Sequence, residues 1–185
     1  MGKKKKAVKS KAGGKGRTPG NKWLAFAVVG ALLLLAGSFW FFNREARGGN
    51  EIVIETPKGN IEMIVYPDLM PLTVANFKKL VGSNFYNGIT FHRVEPWVVQ
   101  GGDPSGSGSG GPGWTIKLET SRELKNVRGA VAMARTQDDP DSAGSQFYIL
   151  KKDTRSLDGN YAVFGMVTGG MDVVDKLEIG DKMNR

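Results

Sequence analysis

Three polar side chains set among apolar, strand-like runs are the candidates for chemistry in this chain of 185 residues. FHRVEPWVVQGGD (91–103) places Arg93 and Gln100 among hydrophobes, and AGSQFYI (143–149) places Gln146 beside Phe147 and Tyr148. LDGNYAVFG (157–165) adds Leu157 and Tyr161. A guanidinium carries five N–H donors and a permanent charge, while a glutamine offers both donors and an acceptor. Such a set can hold and polarise a substrate, but it contains no nucleophile.

The other reactive groups exclude most alternatives. There is no cysteine, which removes disulfides, thiol nucleophiles and thiolate metal sites together. His92 is the one histidine, so neither a multi-histidine metal site nor an H-E-x-x-H pair can form, and no metal or cofactor is expected. Ser145 lies in AGSQF rather than in a G-x-S-x-G elbow, which argues against a hydrolase. His92 itself, in an apolar run, reads as a structural histidine bonded to backbone. The glycine-rich run GDPSGSGSGGPG (102–113) lacks the G-K-[ST] ending of a phosphate loop and reads as a flexible surface loop.

The elements that must position these side chains are short. EIVIET (51–56) and NIEMIVY (60–66) are β-prone runs separated by Pro57, Lys58 and Gly59, a hairpin signal. In PLTVANFKKLV (71–81), Val74, Phe77 and Leu80 recur at helical spacing; Thr73 or Asp68 is expected to begin this helix and Gly82 to stop it. Apolar runs follow at 89–94, 97–101, 130–134, 145–150 and 161–167, and a second short helix covers 171–177. Many short strands with two brief helices indicate a mostly β domain, a closed antiparallel barrel or a sandwich.

Charge divides the chain. Residues 1–22 carry nine Lys or Arg and no acid, whereas residues 50–185 carry 15 basic and 17 acidic side chains. The net charge of +8 therefore belongs to the N-terminal part, and the folded domain is not expected to bind nucleic acid. Between them, WLAFAVVGALLLLAGSFWFF (23–42) is uncharged and opened by Trp23, with Trp40 near its end. Twenty residues of helix span about 30 Å, the thickness of a bilayer core. The expected organisation is a basic cytoplasmic tail (1–22), a transmembrane signal-anchor helix (23–42), a linker (43–49) and one domain (50–185). The positive-inside rule places that domain outside the cell membrane, extracellular or periplasmic. Release by a cut within 46–49 is the alternative.

The four stretches PLTVANF, FHRVEPWVVQGGD, AGSQFYI and LDGNYAVFG occur in the order seen in cyclophilins, which residues 51–178 closely resemble. They are most similar to compact, membrane-anchored bacterial members. The resemblance implies an eight-stranded closed barrel with two capping helices and a groove on its outer face. It also implies peptidyl-prolyl cis-trans isomerase (rotamase) activity on proline-containing polypeptides, assisting protein folding, with the domain acting as a monomer. It assigns catalytic roles to Arg93, Gln100 and Gln146. Substrate contacts fall to Trp97, Val98, Met133, Ala134, Arg135, Tyr148, Leu157 and Tyr161. Three departures stand out: Arg135 replaces the usual Asn, and Ser156 and Tyr161 replace a tryptophan and a histidine, which argues against strong cyclosporin sensitivity. Third, the sequence ends at Arg185 short of the usual closing strand, so the expectation is either a barrel with a free edge near 51–56 or a fragment that lacks its last strand.

Overall fold

The hairpin forms where Pro57 and Gly59 call for it. In the computed structural model, which describes residues 49–184, strand β1 (Glu51–Thr56) pairs with β2 (Gly59–Val65). The turn is closed by the Thr56 hydroxyl, which donates to the Gly59 carbonyl at 2.7 Å and accepts from the Lys58 N–H at 3.2 Å. Gly59 has φ +132°, a backbone state that side chains disfavour. The expected anchor, 23–42, lies outside the described residues; among those described, no helix is long and apolar enough to cross a membrane.

Helix α1 (Pro71–Gly82) starts with proline in its first turn and buries Val74, Phe77 and Leu80. Neither Thr73 nor Asp68 serves as its N-cap. That position is Met70, which has no capping side chain. Glu119 supplies the cap from far along the chain: its carboxylate accepts from the backbone N–H of Leu72 (3.0 Å) and Thr73 (2.7 Å), and from the Thr73 hydroxyl (2.7 Å). A carboxylate there also meets the positive end of the helix dipole. Glu119→Ala should therefore cost about 2 kcal/mol in urea denaturation, with Glu119→Gln intermediate. An unchanged midpoint would show that water replaces the cap without loss.

The remaining strands are β3 (Phe91–Val94), β4 (Val98–Gly101), β5 (Ala130–Met133), β6 (Phe147–Leu150) and β7 (Val163–Gly169), followed by helix α2 (Met171–Lys176). They form one antiparallel sheet of seven strands in the order β1-β2-β7-β5-β6-β4-β3. The expected eight-stranded closed barrel is thus corrected to a seven-stranded sheet whose edges are β1 and β3. The last residues lie between those edges. Met183 N–H bonds Ile89 at 2.9 Å, Phe91 N–H bonds Asp181 at 2.8 Å, and Asn184 N–H reaches the Glu55 carbonyl at 2.8 Å. The seam at β1 is stitched at Glu55 where a full closing strand would form a ladder.

The central strands are apolar on both faces, and this creates the site. One face packs Ile61, Phe77, Phe91, Val99, Met133, Phe147, Ile149 and Phe164 into the main core. The other gathers Val98, Ala130, Ala132, Tyr148, Leu150 and Val163 into a second cluster. Trp97, Ala134, Leu157 and Tyr161 pack against that second cluster and are only partly buried.

Candidate active site

Arg93 reaches the outer face because β3 is bulged. Phe91 pairs with Gly101 and Arg93 with Gln100, so His92 is an extra residue in the ladder. Strict alternation would have placed Arg93 on the same face as Phe91, which is fully buried in the core. The extra residue turns Arg93 outward instead. His92 does not bond backbone as expected: both ring nitrogens are buried with no partner among the described residues. Desolvation lowers its pKa; Asp103 opposes the shift and Arg93 adds to it.

From Arg93 a directional line of hydrogen bonds runs through Gln100 on β4 to Gln146, the residue before β6. Its Nη1 donates to Gln100 Oε1 (3.3 Å), Gln100 Nε2 donates to Gln146 Oε1 (2.9 Å), and Gln146 Nε2 donates to the Gly108 and Gly110 carbonyls (2.9 Å each). Each amide uses its oxygen toward Arg93 and its nitrogen away, so the line has a single sense. Glu95 fixes the other side of the arginine. One carboxylate oxygen accepts from Arg93 Nε and the other from Trp97 Nε1, both at 2.7 Å. The Arg93 hydrogen bond, then that of Trp97, holds the Glu95 carboxyl below its ordinary pKa.

Beside Arg93 lies a cavity of about 220 Å³ walled by Trp97, Val98, Ala134, Tyr148, Leu157 and Tyr161, with Gln100 and Arg135 also on its lining. Every expected groove residue is thus brought together except Met133. That side chain is 1% exposed and packs in the main core, because on β5 it points opposite to its neighbours Ala132 and Ala134. The placement of Met133 in the groove is corrected accordingly.

Several supporting residues were invisible from the sequence. Tyr148 donates its hydroxyl to Asn126 Oδ1 at 2.9 Å, and Asn126 is fully buried. The Asn126 backbone and side-chain N–H groups donate to Asp158 (2.7 and 3.2 Å), which also accepts from Arg155 at 2.6 Å. This ties down the short 3-10 turn Arg155–Leu157 and so seats Leu157 against the pocket. Burial disfavours the Asp158 charge, yet these bonds hold its pKa at about 2. Glu95 alone had a local signal, since it stands between Arg93 and Trp97 in the same short run.

The glycine-rich run is not the loose loop its composition suggests. Asp103 is 1% exposed and gathers the loop around its carboxylate. Oδ1 accepts from Ser105 N–H and hydroxyl (2.7 Å each), and Oδ2 accepts from Gly108 N–H. Gly102 has φ +87°, and any Cβ there would fall against the Ser145 carbonyl oxygen. The ordered loop walls a second cavity of about 660 Å³, which also touches Gln100, Ala134, Arg135, Ser142 and Gln146. Trp114, on its lining, donates to Asn76 (2.9 Å), and Asn76 donates to the carbonyl of Gly144, also on the lining (2.7 Å).

An apolar pocket thus lies beside an arginine and two glutamines that share one line of hydrogen bonds, on the outer face of a curled β sheet. Residues 51–185 match the family described as cyclophilin type peptidyl-prolyl cis-trans isomerase/CLD. Peptidyl-prolyl cis-trans isomerase B of Bacillus subtilis is 46% identical over 125 residues, 66% of this chain and 86% of that protein. A peptidyl-prolyl cis-trans isomerase of Acinetobacter baylyi is 42% identical over 160 residues, covering 81% and 79% of the two chains. A Cryptosporidium parvum cyclophilin crystallised in the presence of the dipeptide Ala-Pro superposes with a TM-score of 0.65 at 28% identity, over 72% of this chain and 92% of that one. The chain belongs to the cyclophilin-type peptidyl-prolyl cis-trans isomerase family, and it is an isomerase.

Proposed function

We propose that this protein accelerates rotation about X–Pro bonds in extracytoplasmic polypeptides and so assists their folding, acting as a monomer held at the membrane by 23–42. The observation that carries the catalytic reading is the one-directional line Arg93–Gln100–Gln146 beside the apolar pocket. The barrier to X–Pro rotation is about 18–20 kcal/mol, set by amide resonance. Rotation breaks no covalent bond and needs no cofactor. The pocket walls take the prolyl ring, and the Ala-Pro dipeptide used with the Cryptosporidium relative supports a ligand of this kind. In the twisted state the prolyl nitrogen recovers its lone pair and accepts a hydrogen bond from Arg93. Glu95 and Gln100 hold the guanidinium ready for it, so no reorganisation is needed at the moment of reaction. Gln100 and Gln146 steady the backbone on either side.

A proline-peptide exchange assay tests the catalytic reading: a folded protein that leaves the exchange rate at its uncatalysed value would refute it. The anchor rests on the uncharged run 23–42 and the nine preceding positive charges. Full-length protein should resist carbonate extraction, and protease added to spheroplasts should remove the domain while sparing the tail. Digestion of the domain only after lysis would reverse the orientation.

A further inference from the structure

The groove holds two guanidinium groups, and only one is neutralised. Arg93 is paired with Glu95 at 2.7 Å. Arg135, by contrast, donates only to backbone carbonyls: Nε to Asn160 (2.9 Å), and Nη1 to Thr136 (2.7 Å) and Gln137 (3.0 Å). Its guanidinium packs 4.7 Å from the centre of the Tyr161 ring, which itself stands edge-on to Tyr148. Among the described residues no carboxylate lies within ion-pair distance of it. Carbonyl dipoles fix the orientation of the group but cancel none of its net charge, and Nη2 has no partner among the described residues.

The position of this cation matters as much as its charge. Arg135 lies on the wall shared by the 220 Å³ and 660 Å³ cavities, next to Ala134, whose N–H bonds the Gln146 carbonyl at 2.9 Å. Among the described residues it is the one charged side chain lining the larger cavity, whose other lining is glycine, proline, alanine, hydroxyl, amide and aromatic. The domain as a whole is slightly acidic, with 15 basic against 17 acidic residues over 50–185. A preference for negative substrates therefore cannot come from its overall field and has to be local.

We propose that Arg135 is a specificity-determining residue, which makes the groove favour proline peptides carrying an Asp or Glu side chain within two residues of the proline. The carboxylate enters the larger cavity and accepts from the unused Nη2 edge while the prolyl ring fills the smaller one. This rests on the reading that the smaller cavity takes proline. A charge-assisted bond to a pre-oriented guanidinium on a cavity wall should favour Asp over Asn by about fivefold to tenfold.

The test uses full-length protein and short peptides with Asp, Asn or Lys at either of the two positions on each side of proline, with turnover followed by NMR exchange. Wild type should favour Asp over Asn at one position or more. That ratio should shrink at about 1 M salt, where the screening length is about 3 Å. Arg135→Gln should bring the ratio to one, and Arg135→Glu should turn the preference toward Lys. Because each value is a ratio within one variant, a general loss of activity cancels. Peptide affinities from chemical-shift titration give the same ratio for a variant too slow to assay. Equal handling of Asp and Asn by wild type at every position, or a ratio that survives Arg135→Gln, would overturn the proposal. Turnover of the neutral peptide by wild type reports separately on the isomerase reading.

Discussion

Replacing Arg93 by alanine should lower kcat/KM by at least about tenfold, equivalent to about 1.4 kcal/mol of lost transition-state stabilisation. Arg93→Lys should recover only part of that loss. An ammonium keeps the charge, but it cannot at once satisfy Glu95, Gln100 and the substrate with a planar fork. Ground-state peptide affinity should fall less than the rate, because the planar prolyl nitrogen is a poor acceptor and, in the proposed mechanism, the decisive bond forms in the twisted state. Folded stability should change by no more than about 1 kcal/mol, since the Arg93–Glu95 pair is exposed on both sides. Near-wild-type kcat/KM in a folded Arg93→Ala protein would sink the mechanism while leaving family membership untouched.

The largest stability effect is expected at Asp103. Asp103 itself is buried, and removing its carboxylate in Asp103→Ala takes away the part-buried bonds from the Ser105 and Gly108 N–H groups, at a cost of about 2 kcal/mol. The loop that presents the Gly108 and Gly110 carbonyls to Gln146 then loses its organiser, so kcat/KM should drop as well. Burial works against the Asp103 charge. The bonds from Ser105, Gly110 and Gly108 outweigh it and hold the pKa at about 2, against an ordinary value of 3.8. A folded pKa below the unfolded one means that the stabilisation is complete above the unfolded value. It is lost as pH falls from about 4 toward about 2, by about 2 kcal/mol in all. Urea midpoints compared at neutral pH and in that acid window should converge for wild type and Asp103→Asn as the pH drops. Parallel curves would show that this carboxylate carries no linkage.

The strands, the 57–59 turn and helix α1 were legible because period-two and period-3.6 apolar patterns and proline–glycine punctuation are local signals. The runs expected at 51–56, 60–66 and 71–81 became β1, β2 and α1 with shifts of a residue at their ends. Arg93, Gln100 and Gln146 were legible for another reason: polar side chains inside apolar strand runs carry a cost unless a site uses them, so they stand out.

What stayed hidden depended on partners distant in sequence. Glu119 caps a helix 46 residues before it, and Asn126 supports Tyr148 from 22 residues away. The glycine-rich run looked mobile because composition reports the freedom of the backbone and not the one buried carboxylate that removes it. The sequence by itself determined the short-strand, two-helix domain and the identity of its reactive groups, since both follow from side-chain type and near-neighbour spacing. Tertiary structure alone decided which face each group occupies. The bulge at His92 turned Arg93 out, pleat direction buried Met133, and backbone carbonyls, not a carboxylate, came to hold Arg135. Those outcomes depend on strand register and on which chains meet across the sheet, and no local pattern encodes either.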